Sequence, residues 1–321
     1  LTVVDRVGLA VGVLVLGLSA CASESGEGPL GAPRVATTFD VGAGPLPDVA
    51  SDQTTNRAYV TSSGDDSLYV LDAESRISTI KVAPSPGFVA VDPGTQTAYV
   101  TSGNTVSVVD ISSGAIAGTI EVGHGPDGIE VDSDTQTVYV ANSQDDSVSV
   151  IDARTRKVTT TIAVGASPDK MGVDPETHLL YVANRGGGSI SVVDPTKSAV
   201  VATIPVGKGP GDAAIDPPTH TAFVPNADDD SVSVVDLDKG AVVETIAVGD
   251  RPTAATVDSD SHTVYVTNNG SGSVSVIDTQ TQTVTDTVDV GEGPQTVAAD
   301  PSTHTAWVVN YQDNSVSVIQ R

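Results

Sequence analysis

Residues 122–163 read VGHGPDGIEVDSDTQTVYVANSQDDSVSVIDARTRKVTTTIA, and this stretch decides the fold. Four short runs in it carry β-branched residues: Gly128–Val131, Thr137–Ala141, Ser147–Ile151 and Lys157–Ala163. Gly, Asp, Asn, Ser and Gln fill the gaps. Branched and aromatic side chains suit a pleated strand, and the small polar residues suit tight turns. Each run is therefore expected to be a strand. We call them A, B, C and D, joined as an antiparallel meander.

The unit recurs in both directions. Units begin at Val41, Val82, Val122, Val164, Val206, Val248 and Val290, at steps of 41, 40, 42, 42, 42 and 42 residues. Seven four-stranded units predict an all-β fold: a seven-bladed β-propeller with four antiparallel strands per blade. The seventh unit stops after Ser315–Ile319 without a strand D. RVATTFDVG at Arg34–Gly42 matches KVTTTIAVG at Lys157–Gly165. The N-terminal strand is thus expected to complete the last blade and close the ring. An open array would leave an unpaired edge and two bare blade faces.

Ahead of the repeats, Val7–Ala20 is a run of fourteen uncharged residues, short for a membrane span but suited to the core of a secretory signal. It ends Leu18-Ser19-Ala20-Cys21, which resembles the lipobox of bacterial lipoproteins. That resemblance implies diacylation of Cys21, the single cysteine, and anchoring through acyl chains. Residues 22–33, small and rich in Gly and Pro, read as a flexible tether. The expected organisation is a lipoprotein signal peptide over 1–21, a tether over 22–33 and the propeller over 34–321. The expected location is extracytoplasmic, on a bacterial cell membrane.

The motifs Tyr139-Val140-Ala141-Asn142, Tyr181-Val182-Ala183-Asn184 and Tyr265-Val266-Thr267-Asn268 resemble the YVTN repeat. The Ser-Val-Ser-Val-Ile-Asp runs at 147–152 and 273–278 fit the same pattern. Residues 34–321 are similar to YncE-like propellers, a group of mostly extracytoplasmic proteins. The resemblance implies an architecture and a location more than an activity.

In a ring of repeats, a residue present in every blade reads as architecture, and a residue where one blade differs is a candidate for function. Tyr59, Tyr99, Tyr139, Tyr181, Phe223, Tyr265 and Trp307 share one strand B position and are expected to form interblade core. His178, His220, His262 and His304 recur every 42 residues in A–B turns. Equivalent atoms on blades ~10 Å apart cannot share a metal with ~2 Å bonds, so they are expected to be solvent-contacting turn residues. The aspartates ending strand A (Asp52, Asp92, Asp132, Asp174, Asp216, Asp258, Asp300) suit N–H-accepting turns. Asn142, Asn184, Asn226, Asn268 and Asn310 suit left-handed or Asx geometry at the start of B–C loops.

The exceptions cluster after the recurring Pro that precedes strand A, on the face shared by the D–A connections and B–C loops. They are Phe88, Asp127, Asp169, Lys170, Asp212 and Gln295, with His124 and Arg251 just before the Pro. Glu130 joins them as the one acid at a strand A position otherwise held by Ala, Gly or Thr. A ring of unlike polar groups at a channel mouth is the default ligand site of this fold. The expected function is a non-catalytic binding or scaffold module for a small solute or a protein partner.

Two other readings stand beside it. One is a hydrolase or lyase of the lactonase and streptogramin-lyase type, drawing on His124, Asp127, Glu130 and Asp169. The other is DNA binding, as suggested for YncE-like propellers. Forty-one acids against fifteen bases give a formal charge of −26, which disfavours a nucleic-acid partner. No cofactor is expected: CxxCH is absent and Met171 is the single methionine.

Overall fold

The computed structural model describes residues 31–321 apart from 74 and 75. The expected signal peptide and the lipidation of Cys21 lie outside the described residues, as does most of the tether.

Seven four-stranded antiparallel sheets follow one another along the chain, each in spatial order A, B, C, D. In blade three the strands are Pro126–Asp132, Thr137–Asn142, Ser147–Asp152 and Lys157–Ala163. Blade seven takes its outer strand from the N-terminal side. Arg34–Asp40 pairs antiparallel with Ser315–Gln320, with Thr38 opposite Ser317 and Phe39 opposite Val316. The protein is a seven-bladed β-propeller, closed as the Arg34–Gly42 match predicts.

Each blade is too thin to bury its own faces, so the core lies between blades. Seven apolar clusters fill the seven interfaces, each with one strand B aromatic. Tyr139 of blade three packs against Met171, Leu180 and Val182 of blade four. Trp307 of blade seven packs against Val49, Val60 and Leu71 of blade one, which makes the closure hydrophobic as well as hydrogen-bonded. Burying one such side chain contributes roughly 1.5–3 kcal/mol. Every outer strand D carries a register shift against strand C, as between Val150 and Ile151 in blade three. A bulge of this kind twists an exposed edge away from edge-to-edge pairing.

Polar stitches add to the apolar interfaces. The strand A aspartates are buried and accept hydrogen bonds from their own turns, as Asp174 does from Glu176 N at 3.0 Å. Burial pushes the Asp174 carboxyl up, and its hydrogen bonds to Thr177, Glu176 and His220 bring it below the ordinary value. These aspartates also receive the next blade. His178 Nδ1 lies 3.0 Å from Asp132 Oδ2, His304 Nδ1 lies 2.8 Å from Asp258 Oδ2, and Gln136 Nε2 donates to Asp92 Oδ2 at 3.0 Å. His178, His220, His262 and His304 have the positive φ of turn residues. Three of them also tie their blade to the preceding one, His220 through Asp174 at 3.5 Å, which the expectation of mere solvent contact did not include.

The asparagines correct a second expectation. None of the five adopts a left-handed φ. Asn142 is buried at the end of strand B, where its Nδ2 donates to Ser147 and Ser149 and its Oδ1 accepts from Gly123 N at 3.0 Å. The side chain spans the D–A connection and strand C, so its turn-forming chemistry acts through the amide and not through the backbone.

Candidate functional site

Strand A is the inner strand of each blade, and its residues wall a cavity of ≈ 330 Å³ on the central axis. Counting back four residues from the strand A aspartate gives one ring of positions: Asp48, Phe88, Gly128, Lys170, Asp212, Ala254 and Thr296. Counting back two gives Ala50, Ala90, Glu130, Gly172, Ala214, Thr256 and Ala298. The cavity wall is mostly small or apolar, and four ionisable side chains interrupt it: Asp48, Glu130, Lys170 and Asp212.

Lys170 crosses the channel. Its backbone belongs to strand A of blade four, Pro168–Val173, and its Nζ lies 2.7 Å from Asp48 Oδ1 in blade one. Their side chains are 19% and 5% exposed, so this pair is held well out of bulk water. Nζ also sits 5.6 Å from the centroid of the Phe88 ring, within reach of a cation–π attraction. The other oxygen of Asp48 accepts from Val89 N at 3.1 Å. Burial pushes the Lys170 ammonium down, but Asp48 and Asp212 beside it more than compensate and hold it above the ordinary lysine value.

The other two carboxylates have weaker company. Asp212 is 9% exposed and accepts from Ala213 N at 2.8 Å. Burial raises its carboxyl to about 6, against the opposing pull of Lys170 and two backbone N–H groups. Glu130 accepts a hydrogen bond from Val131 N at 3.3 Å. Burial raises its carboxyl to about 8, with Asp212 and Asp48 adding to the rise and Lys170 opposing it. At neutral pH Glu130 is therefore mainly a neutral acid that can donate a proton.

Of the expected site residues, the cavity brings together Phe88, Glu130, Lys170 and Asp212. Asp127, Asp169 and Gln295 lie one register earlier, outside the cavity wall. Asp169 pairs with Arg185 at 3.1 Å, and Gln295 accepts from Asn269 Nδ2 at 3.3 Å. Burial raises the Asp169 carboxyl, with the Arg185 guanidinium opposing. His124 is 67% exposed and leans on Asp145 of its own blade at 3.0 Å. Arg251 is also exposed, with its backbone N–H on Asp230. Among His124, Asp127, Glu130 and Asp169, Glu130 alone lines the cavity.

Asp48 is the member that reading from the recurring Pro misses. The strand A aspartate stands six positions after that Pro in blades two to seven, but Asp52 stands seven positions after Pro45. Counted forward, Asp48 is out of register. Counted back from Asp52, it falls on the ring of Lys170 and Asp212.

Among the described residues no group of three or more His, Cys, Asp or Glu side chains converges closely enough to hold a metal ion. The arrangement can instead offer acceptors and one neutral acid, spread around a small cavity.

The fold has a solved counterpart. The chain is similar to a chain of Kuenenia stuttgartiensis hydrazine synthase, with a TM-score of 0.78 at 20% identity, over 89% of this chain and 98% of that one. At that identity the likeness speaks for the fold. No curated protein matches the sequence. A match to the family described as Choice-of-anchor I domain runs over residues 87–312, from the second blade into the seventh, and the chain belongs to that family.

Proposed function

We propose that the protein is an extracytoplasmic, lipid-anchored propeller of the YVTN, YncE-like kind, acting as a non-catalytic binding module with its ligand site in the axial cavity. The observation that carries this reading is the cross-channel pair of Lys170 and Asp48, beside Glu130 and Asp212. Four unlike ionisable side chains meet where the rest of the wall is small or apolar. Such a cavity with a few convergent polar groups suits selective capture of a small polar solute. The absence of a nucleophile–base pair among the cavity residues favours binding over turnover. The lipobox ending at Cys21 supports surface display, and the name of the family agrees with an anchored protein.

Native mass spectrometry of the full chain purified from its own host tests the site. A small solute should co-purify, and Glu130→Gln with Asp212→Asn should lose it, while His124→Ala should keep it. A chain that carries no solute, or one that keeps it in the double variant, contradicts the cavity as the site. The anchor has its own test: Cys21→Ala should move the protein from the membrane fraction to the soluble fraction, and continued membrane association would contradict lipidation.

A further inference from the structure

The axial cavity holds a charge imbalance. Three carboxyl side chains face it and one ammonium does. That ammonium is committed: Lys170 Nζ sits on Asp48 Oδ1 at 2.7 Å. Asp212 accepts from Ala213 N at 2.8 Å, and among the described residues no salt bridge joins it to a side-chain cation. Glu130 has, among the described residues, one 3.3 Å bond from Val131 N and no ion pair. Lys170 meanwhile shows what the cavity accepts. A primary ammonium already sits in it, bound to a carboxylate on one side and over the Phe88 ring on another. The space left beside it is ≈ 330 Å³.

Two cation classes could answer that imbalance, and geometry chooses between them. A metal ion needs its ligands gathered at ~2–2.6 Å around one point. Asp48, Glu130 and Asp212 are not gathered closely enough for that. An ammonium or guanidinium group carries three or more N–H donors and reaches its acceptors through hydrogen bonds of ~2.7–3.2 Å, so it suits acceptors held further apart. The whole chain, at −26, steers cations towards its surface and repels anions.

We infer that the axial cavity binds a small organic cation, a primary amine or guanidinium compound, with Glu130 and Asp212 as its acceptors beside the closed Lys170–Asp48 pair. This rests on the cavity being the binding site. It adds the class of ligand and a coupling to protons. Glu130 is mainly protonated below about 8, so an arriving cation displaces its proton. The charged groups around it are Asp48 of blade one, Lys170 of blade four and Asp212 of blade five. Lys170 alone is positive, and it is already paired.

The test is calorimetric titration of the full chain with agmatine, N-pentylurea and glutarate, which are cationic, neutral and anionic probes of similar length. Agmatine should bind best, with a proton released on binding, seen as a heat that varies with the ionisation enthalpy of the buffer. Its affinity should rise about ten-fold or more from about pH 6 to about pH 9, where amines and guanidines remain charged. Glu130→Gln, near in shape, should lower the affinity at about pH 9 about ten-fold and remove most of the pH dependence, leaving the smaller part that Asp212, raised to about 6, contributes near pH 6. Stronger binding of pentylurea or glutarate, agmatine binding without proton release, or no binding of agmatine at any pH would each overturn the inference. If native mass spectrometry still finds a solute that Glu130→Gln with Asp212→Asn loses, only the ligand class has failed. If it finds none, the cavity reading itself has failed.

Discussion

The strand A aspartates and the residues four positions before them lie on the same seven strands, yet one set is uniform and the other is not. Asp52, Asp92, Asp132, Asp174, Asp216, Asp258 and Asp300 are all buried, and from the second blade on they also meet the following blade. At the earlier positions, Asp48, Phe88, Gly128, Lys170, Asp212, Ala254 and Thr296 share a backbone setting and little else. Identical geometry asks for identical residues only where each position does the same work. The aspartates order seven equivalent turns, and six of them also fasten a joint to the next blade. The inner ring surrounds one cavity, in which each side chain can play a different part. Repetition therefore marks structure in this molecule, and departure from it marks the candidate site.

The largest expected effect breaks the uniform part at its seam. Deleting residues 34–41 removes the outer strand of blade seven, and with it Val35 and Phe39 from the packing around the closure. The melting temperature, followed by circular dichroism, should fall by about 10 °C or more, or cooperativity should be lost. Unchanged unfolding would mean the ring does not depend on this closure.

Next is a joint. Asp258 is 1% exposed and serves Ser261 and His304, so Asp258→Ala takes the acceptor from two half-buried donors. Denaturant titration should show a loss of ~2–4 kcal/mol. Lys170→Met probes the inner ring by the same measurement. It leaves Asp48 short of its cation and should cost ~1–3 kcal/mol, most of it recovered when Asp48→Asn is added, because the cost comes from an unpaired buried charge. If Lys170→Met costs more than Asp258→Ala, the contrast between a structural and a functional ring fails.

Glu130→Gln sharpens the contrast through pH. The folded-state carboxyl is raised to about 8, so between its ordinary value and about 8 the folded chain holds a proton that the unfolded chain has released. Stability from this group is thus present at low pH and lost as pH rises, by up to ~1.4 kcal/mol per pH unit across that window. The variant should flatten this part of the stability profile. The smallest effect belongs to His124→Ala, whose exposed ring pairs with the loop residue Asp145 of its own blade, and which should leave the melting temperature unchanged within error.

Much of this was legible in the sequence because repetition averages over local ambiguity. One unit such as Val122–Ala163 is a plausible meander, but seven in phase leave little choice of architecture. The aromatic ring from Tyr59 to Trp307 and the strand from Arg34 to Asp40 were placed by the same comparison of unit with unit. The site was legible in outline, through Phe88, Glu130, Lys170 and Asp212. Asp48 was hidden by the one extra residue between Pro45 and Asp52. Its partnership with Lys170 was hidden for another reason. It joins blades one and four across the axis, and no spacing along the chain encodes which side chains meet there. The histidine joints were missed because a turn residue can face water or the neighbouring blade with the same local sequence. Asn142 and its equivalents were given the wrong geometry because an amide that caps a loop and one that twists it share the same position.

The most direct test of the account is an electron-density map of the protein purified from its native host. The account predicts density larger than water in the axial cavity, touching Glu130 and Asp212 and lying beside the Lys170–Asp48 pair. A cavity holding only water, with a co-purified solute bound elsewhere on the ring, would contradict it.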